Sequence, residues 1–414
     1  MLKRSRHIVL TLLVVTAFCV HMDHDHGFAD EMLYEMKCGR CHTAFKPGDY
    51  SPEDWPGIVR SMRAPAGLTG AQYDSIVEYV VSASGSEGGQ TSSSSGPNIG
   101  GYLYSEYFQT EQEIKNYDIH YLSVSLSGWA KDNIYYMGEF ELEHGGTGGD
   151  NTFIEQAYID YWFNSNLAFR AGAILAPFNR FDDFHDPLRN YTITRPQVSR
   201  EIGVSAWKDV GVDFHGFFNI GDQSSIAFNI YSINGLGSGS NLRGSRQYRD
   251  NNEDKAFGGR VSWLLLDVLE VGGSIYNGAW DDDGKLDLTM YGTHFLLRTD
   301  LADFYGEYSR ADSDNPSPAA DGKMSGYFIQ ASRLFLSKFR PTVRFGALDY
   351  LDMGDTLGRS TAKGDKDLSE LALSFGYYPT NKVVFKVEYT FFMEGDRMPD
   401  TKNDQLGLQA AVAF

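Results

Sequence analysis

From residue 99 to residue 414 the chain alternates apolar and polar side chains with a period of two. Sixteen such runs stand out, centred near Tyr104, Val124, Glu139, Tyr158, Arg170, Phe214, Phe228, Gly259, Gly273, Met290, Tyr305, Phe328, Phe345, Leu373, Val387 and Gln409. A period of two sends successive side chains to opposite faces, which is the pattern of a strand lying between two different environments. Turn residues such as Lys131-Asp132-Asn133 and Pro379-Thr380-Asn381 separate the runs. Segments of about ten residues are long enough to cross an outer membrane at a tilt. The expectation is an all-β transmembrane barrel of about 16 antiparallel strands over residues 99–414.

The alternation is clearest near the end of the chain. Val383, Phe385, Val387, Tyr389 and Phe391 share one face, with Val384, Lys386, Glu388 and Thr390 opposite. In the last run Leu406, Leu408, Ala410, Val412 and Phe414 oppose Gln405, Gly407 and Gln409. The first face of each suits lipid and the second a wet lumen, so outer-membrane lipid is an expected partner. A terminal Phe on such a strand resembles the assembly signal of bacterial outer-membrane barrels. A sandwich would have fewer strands, and a propeller would repeat every 40–50 residues or so, which this sequence does not. The composition agrees, with 14% aromatics, 44 Gly and 13 Pro. The net charge of −19 argues against nucleic acid, which needs basic patches.

The N-terminal part has a different texture. Residues 1–29 read as a secretory signal, with Lys3, Arg4 and Arg6 ahead of the apolar run Ile8 to Val20. Residues 30–84 read as a small all-α module. Ser51-Pro52-Glu53-Asp54 carries helix-start chemistry, and Trp55, Ile58, Val59 and Met62 recur on one face. Thr69 is a second N-cap candidate, followed by Tyr73, Ile76, Val77, Tyr79 and Val80. About 55 residues make a thin core, so a large flat ligand would help such a module fold. Residues 85–98 are a Gly/Ser-rich linker.

Inside the module, Cys38-Gly39-Arg40-Cys41-His42 spells C-x-x-C-H, the signature of covalent c-type haem attachment. Cys38 and Cys41 are the expected thioether donors to one haem c, and His42 the first axial ligand of its iron. Met62 is the candidate sixth ligand. Its alternative is an ordinary core methionine, which would leave the iron open to a small ligand.

The segment from Phe153 to Phe217 resembles the phosphate-selective porin O/P family. The matching text is Ala157-Tyr158-Ile159-Asp160-Tyr161, Phe169-Arg170-Ala171-Gly172, Ala176-Pro177-Phe178-Asn179-Arg180-Phe181, His185-Asp186-Pro187-Leu188 and Thr194-Arg195-Pro196. That resemblance implies a sixteen-stranded porin-like barrel with a long loop at this place. A basic lumen ladder for anions is not evident in the sequence. Glu139, Glu141 and Glu143 alternate on one run instead, which favours a cationic solute.

The order of parts resembles the fused monohaem cytochrome–porins of iron-oxidising bacteria. The resemblance implies an outer-membrane electron-transfer protein. It would take electrons from extracellular Fe(II) and pass them to a periplasmic cytochrome or copper protein, with the module at the periplasmic side or inside the barrel. The alternative is a solute or ion porin whose haem module acts as a plug or redox gate. His120, His144, His185, His215 and His294 read as scattered, solvated side chains. His185, within Asp182-Asp183-Phe184-His185-Asp186, is the best outlier as a transient cation site.

Overall fold

The computed structural model describes Leu33, Tyr34, Cys38, Pro47, 52–53, 55–62, 68 and 70–84 of the N-terminal part. It also describes 97–414 except 112–114, 132, 147–151, 165, 185, 221–223, 239–241, 267, 300, 316–320, 337, 352–366, 381 and 396–400. The expected signal and nearly all of the expected linker lie outside the described residues, as do Cys41, His42 and His185.

Sixteen strands form one closed antiparallel barrel in which each strand pairs with its sequence neighbours. They are β1 (Asn98–Thr110), β2 (Lys115–Lys131), β3 (Ile134–Glu143), β4 (Thr152–Asn164), β5 (Leu167–Leu175), β6 (Lys208–Asn219), β7 (Ser225–Ile233) and β8 (Ala256–Leu265). The second half comprises β9 (Leu269–Ala279), β10 (Asp287–Arg298), β11 (Asp303–Ser313), β12 (Gly322–Ser332), β13 (Phe339–Leu351), β14 (Asp367–Thr380), β15 (Val383–Glu394) and β16 (Gln405–Ala413). Each of the sixteen centres expected from the alternation falls inside its strand. Closure is made by β1 against β16, from Tyr102 opposite Ala413 to Thr110 opposite Gln405. A closed ring leaves no unpaired strand edge, which hydrocarbon would not tolerate.

The outer surface is apolar where the pattern requires it. Ile159, Ile230, Val261, Ile275, Ile329, Phe385 and Val387 are exposed on strands whose alternate residues are buried. Lys386 and Glu388, between exposed neighbours on β15, point inward and are buried. Among the described residues no helix is long and apolar enough to cross a membrane. The crossing is made by strands.

The two rims differ. Consecutive strands meet in short turns at one end, such as Asn164 to Leu167 and Thr380 to Val383, whereas the opposite end carries longer connections. Asn98 pairs near the β2–β3 turn, so the chain enters the barrel at the short-turn rim. In outer-membrane barrels short turns face the periplasm and long loops face outward.

Two helices are described in the N-terminal part, α1 (Trp55–Met62) and α2 (Gly70–Ser84). Pro52 and Glu53 form a turn, and the helix begins at Trp55 rather than directly after Ser51. The indole N–H of Trp55 donates to the Pro47 carbonyl at 2.7 Å. Tyr34, Trp55, Val59, Leu68, Ile76 and Val80 make a small apolar cluster, with Ile58, Tyr73, Val77 and Tyr79 packed against it. Trp55, Ile58 and Val59 of the face expected for α1, and Tyr73, Ile76, Val77, Tyr79 and Val80 of that expected for α2, thus lie on the apolar side.

Candidate functional site

The connection from β5 to β6, residues 176–207, folds into the barrel instead of over its rim. Its composition explains the choice. Phe178, Phe181, Val198, Ile202, Val204 and Trp207 are all buried, and a surface loop could not hide so much apolar area. They pack on inward-facing Tyr158, Tyr231, Tyr276, Met290, Tyr305 and Phe328 in one continuous core. Phe181 meets Phe328 edge-on at 6.4 Å between ring centres, and Trp207 meets Tyr276 at 4.8 Å. The lumen is less wet than the alternation suggests: the aromatic residues of β4, β7, β9, β11 and β12 form a bed for the loop.

A loop inside a barrel must find partners for its backbone. On one side β13–β15 supply them. Arg344 donates to Thr192 Oγ1 at 2.5 Å, to the Thr194 carbonyl at 2.6 Å and to Thr194 Oγ1 at 2.8 Å. Glu388 accepts the backbone N–H groups of Ile193 at 2.6 Å and Thr194 at 3.0 Å. Lys386 Nζ donates to the carbonyls of Pro187 and Asn190, both at 2.5 Å. Glu370 accepts the N–H of Gln197 at 3.0 Å, at the start of the short helix α3 (Gln197–Glu201).

Across the lumen the contacts are fewer and mixed. Asn179 N–H donates to Ser274 Oγ at 2.9 Å and Arg180 N–H to Glu307 at 2.7 Å. The Arg180 side chain pairs with Glu270 at 2.7 Å. Gly292 lets Asn179 in, since a Cβ there would lie 1.9 Å from Asn179 Oδ1. Three non-glycine residues of the loop have left-handed backbones: Asn179, Val204 and Ala206, with φ of 58°, 56° and 59°. For a β-branched valine this is strained. Asp182 stabilises the turn by accepting the N–H groups of Ala206 at 2.7 Å and Trp207 at 3.2 Å.

The charges inside the barrel are arranged differently from the sequence expectation. Glu139 and Glu141 do face the lumen, and both are buried. They are also occupied. Glu139 accepts from Ser123 at 2.6 Å and Gln156 at 3.2 Å. Glu141 accepts from Tyr102 at 2.6 Å and from Lys208 at 3.0 Å, and Lys208 also pairs with Glu155. The acidic ladder thus braces the wall, and Glu143 above it is half-buried.

Arginines gather instead. Arg195 and Arg200 of the inward loop lie near Arg243 and Arg246 of the β7–β8 connection. Arg246 donates to the Ala206 carbonyl at 2.6 Å, and Arg195 to Tyr121 at 3.4 Å. Among the described residues none of Arg195, Arg243 and Arg246 is ion-paired with a carboxylate. Burial, then Arg195, Arg246 and Arg200, push the Arg243 guanidinium down to about 10. Asp182 acts on both Arg195 and Arg246, so the positive charge is partly offset, and the remainder in a partly buried site favours an incoming anion. Sequence reading missed this cluster because its members come from two loops. The pair Arg243-x-x-Arg246 between two strands was the available signal.

The expected haem residues are only partly described. Cys38 packs at the edge of the apolar cluster around Tyr34 and Trp55. Cys41 and His42 lie outside the described residues. Met62 closes α1, and its side chain lies outside them as well. The histidines are not all scattered. His294 is buried in the lumen, 3.1 Å from Ser262 Oγ and 3.4 Å from Glu270. His120 and His144 converge on Asp118.

No family model matches the chain. An uncharacterized protein of Aquifex aeolicus is 27% identical over 206 residues, 46% of this chain and 46% of that protein. The chain thus spans about half the length of that relative. Among solved structures, OmpF of Salmonella typhi in complex with daunomycin superposes with a TM-score of 0.58 at 12% identity. That match covers 77% of this chain and 97% of that one. An anion-selective porin from Comamonas acidovorans gives 0.56 at 12% identity, over 77% and 99%. The outer-membrane channel DcaP of Acinetobacter baumannii gives 0.55 at 14%, over 78% and 99%. At these identities the likeness is one of fold. The chain has the sixteen-stranded antiparallel barrel of known outer-membrane porins.

Proposed function

We propose that the protein is an outer-membrane channel for small solutes, narrowed by residues 176–207 and selective for anions at the arginine cluster. The observation that carries this reading is the inward loop, which is hydrogen-bonded to the barrel wall and brings Arg195 and Arg200 beside Arg243 and Arg246. The loop excludes large solutes by volume, and the guanidinium groups replace part of an anion's hydration. The porin O/P-like text Ala176 to Phe181 falls on the first turn of the inward loop, where that resemblance implies a long loop. Swelling of proteoliposomes tests it. Small organic anions should enter faster than cations of the same size, and equal rates would refute the selectivity.

A second reading adds electron transfer, and it rests on C-x-x-C-H together with the apolar cluster beside Cys38. The cluster supports this reading, because a porphyrin needs apolar walls next to its attachment cysteines. Cys38 and Cys41 would hold it covalently, with His42 and Met62 as axial donors. When bound, the group supplies one-electron chemistry. The module over residues 30–84, joined by the 85–98 linker at the short-turn rim, would then serve a periplasmic cytochrome or copper protein as acceptor. Extracellular Fe(II) would be the substrate. The test is haem-specific staining of the denatured chain, with Cys38→Ala and Cys41→Ala as controls, followed by reduced spectra on adding Fe(II). A chain without covalent haem would end this reading and leave the channel untouched.

A further inference from the structure

Sequence reading treated His120 and His144 as solvated and unrelated. The fold brings both to one point on the inner wall near the long-loop rim. His120 is the extra residue of a β-bulge between β1 and β2. Tyr104 pairs with Tyr121 and Ser105 with Ile119, and His120 is left between them. A bulge re-aims a side chain. Here it allows His120 and Tyr121 both to face inward, whereas Ile119 points to lipid. Asp118, two residues before His120, faces the same way. His144 follows β3 directly, and it and Gly145 both adopt left-handed backbones, with φ of 52° and 66°. That turn carries the imidazole back towards β2.

We propose that Asp118, His120 and His144 bind a divalent first-row transition cation. One ligand atom from each lies within 4.8 Å of the other two. His144 Nδ1 is 2.6 Å from Asp118 Oδ2, and His120 Nδ1 is 3.3 Å from the same oxygen. Metal–ligand bonds of about 2.0–2.2 Å place neighbouring ligands roughly 3.3 Å apart on a tetrahedron, so only small shifts are needed. Two imidazoles and one carboxylate suit zinc, copper, nickel or ferrous iron. Calcium and magnesium, which take oxygen ligands, do not match.

The surroundings hold the ligands in place. The His120 ring stacks on Tyr104 with centres 5.3 Å apart and planes 20° apart, and packs against Tyr121 at 4.6 Å. Glu106 Oε2 lies 3.1 Å from His120 Nδ1. Its other oxygen accepts a hydrogen bond from Gln409 at 2.7 Å. Glu106 thus contacts the same ring nitrogen as Asp118, and would move aside or join the ion as a further carboxylate ligand once that nitrogen binds it. Glu106 also adds a second negative charge. The His144 side chain is half-exposed, which leaves a path for the ion from the rim. The proposal does not depend on what the channel conducts.

Cobalt(II) chloride titrated into the full-length protein in detergent tests the site, read by visible d–d absorption and by the number of equivalents bound. The wild type is expected to bind one equivalent that is lost or weakened at least 100-fold, on the order expected for a ligand, in His144→Gln and in Asp118→Asn. Glu106→Gln removes a neighbouring negative charge and should weaken it by about 10-fold. Heat-modifiable gel mobility checks that each variant keeps its barrel, and His144, in a half-exposed turn, can be replaced without disturbing the wall. Any binding by the histidines of residues 21–26 is common to all variants. The same number of equivalents, affinity and spectrum in wild type and both variants would overturn the proposal, as would a wild type that binds no cobalt below millimolar concentration.

Discussion

The inward loop lies between two walls of opposite chemistry. Strands β13–β15 hold it with Arg344, Glu370, Lys386 and Glu388, each aimed at named atoms of residues 187–197. Strands β7, β9, β11 and β12 offer mainly Tyr231, Tyr276, Tyr305 and Phe328. Hydrogen bonds to charged groups are directional and expensive to leave unmade, so the first wall fixes where the loop sits. Apolar burial has no direction, so the aromatic bed supplies stability, and on this side position is set by fewer polar contacts, from Ser274, Glu307 and Glu270 to Asn179 and Arg180. Position is thus fixed mainly from one side of the lumen, and apolar stability comes mainly from the other.

Mutation can break that division. The largest effect is expected from Arg344→Met, which strands Thr192, Thr194 and Glu370 without their cation. Breaking a buried pair costs about 3–5 kcal/mol, so urea unfolding in micelles should shift strongly and single-channel conductance should rise as the loop leaves its place. Ile202→Val, on the apolar side, should cost about 0.5–1.5 kcal/mol and leave conductance unchanged. A conductance change from Ile202→Val as large as that from Arg344→Met would erase the distinction between the walls.

Arg243→Gln is expected to be smaller still in stability and opposite in sign. Its guanidinium is pushed down to about 10 by burial and by Arg195, Arg246 and Arg200, so the folded state disfavours its charge. That cost is fully present at neutral pH and is relieved as pH rises above about 10, where the unfolded chain still holds the proton. The variant should unfold slightly later than wild type at pH 7, lose this alkaline gain and pass anions more slowly. Glu139→Gln should do least. Its remaining oxygen can still accept from Gln156, the Ser123 hydroxyl can turn to accept from the new amide N–H, and the reversal potential should stay at its wild-type value.

The barrel was legible because one physical rule, lipid outside and water or protein inside, acts at every second residue for sixteen strands. Phe385, Val387, Lys386 and Glu388 could be placed from that rule alone. The interior was less legible. Period two says that Tyr231 or Tyr276 faces inward but not that Trp207 will cover it. Glu139 and Glu141 were read correctly as inward-facing, but their partners were not legible, because Lys208 and Tyr102 come from distant strands. His120 escaped because a bulge breaks the period at that residue. The arginine cluster escaped because loops follow no period. Phe178, Phe181, Ile202 and Trp207 did carry a warning, since a connection that apolar has to be buried.

Single-channel recording in planar bilayers under a potassium chloride gradient tests the central claim most directly, with wild type compared to Arg344→Met. The account predicts a narrow, anion-preferring wild-type channel and a wider, less selective variant. Identical conductance and reversal potential in the two proteins, or no conductance in either, would contradict it.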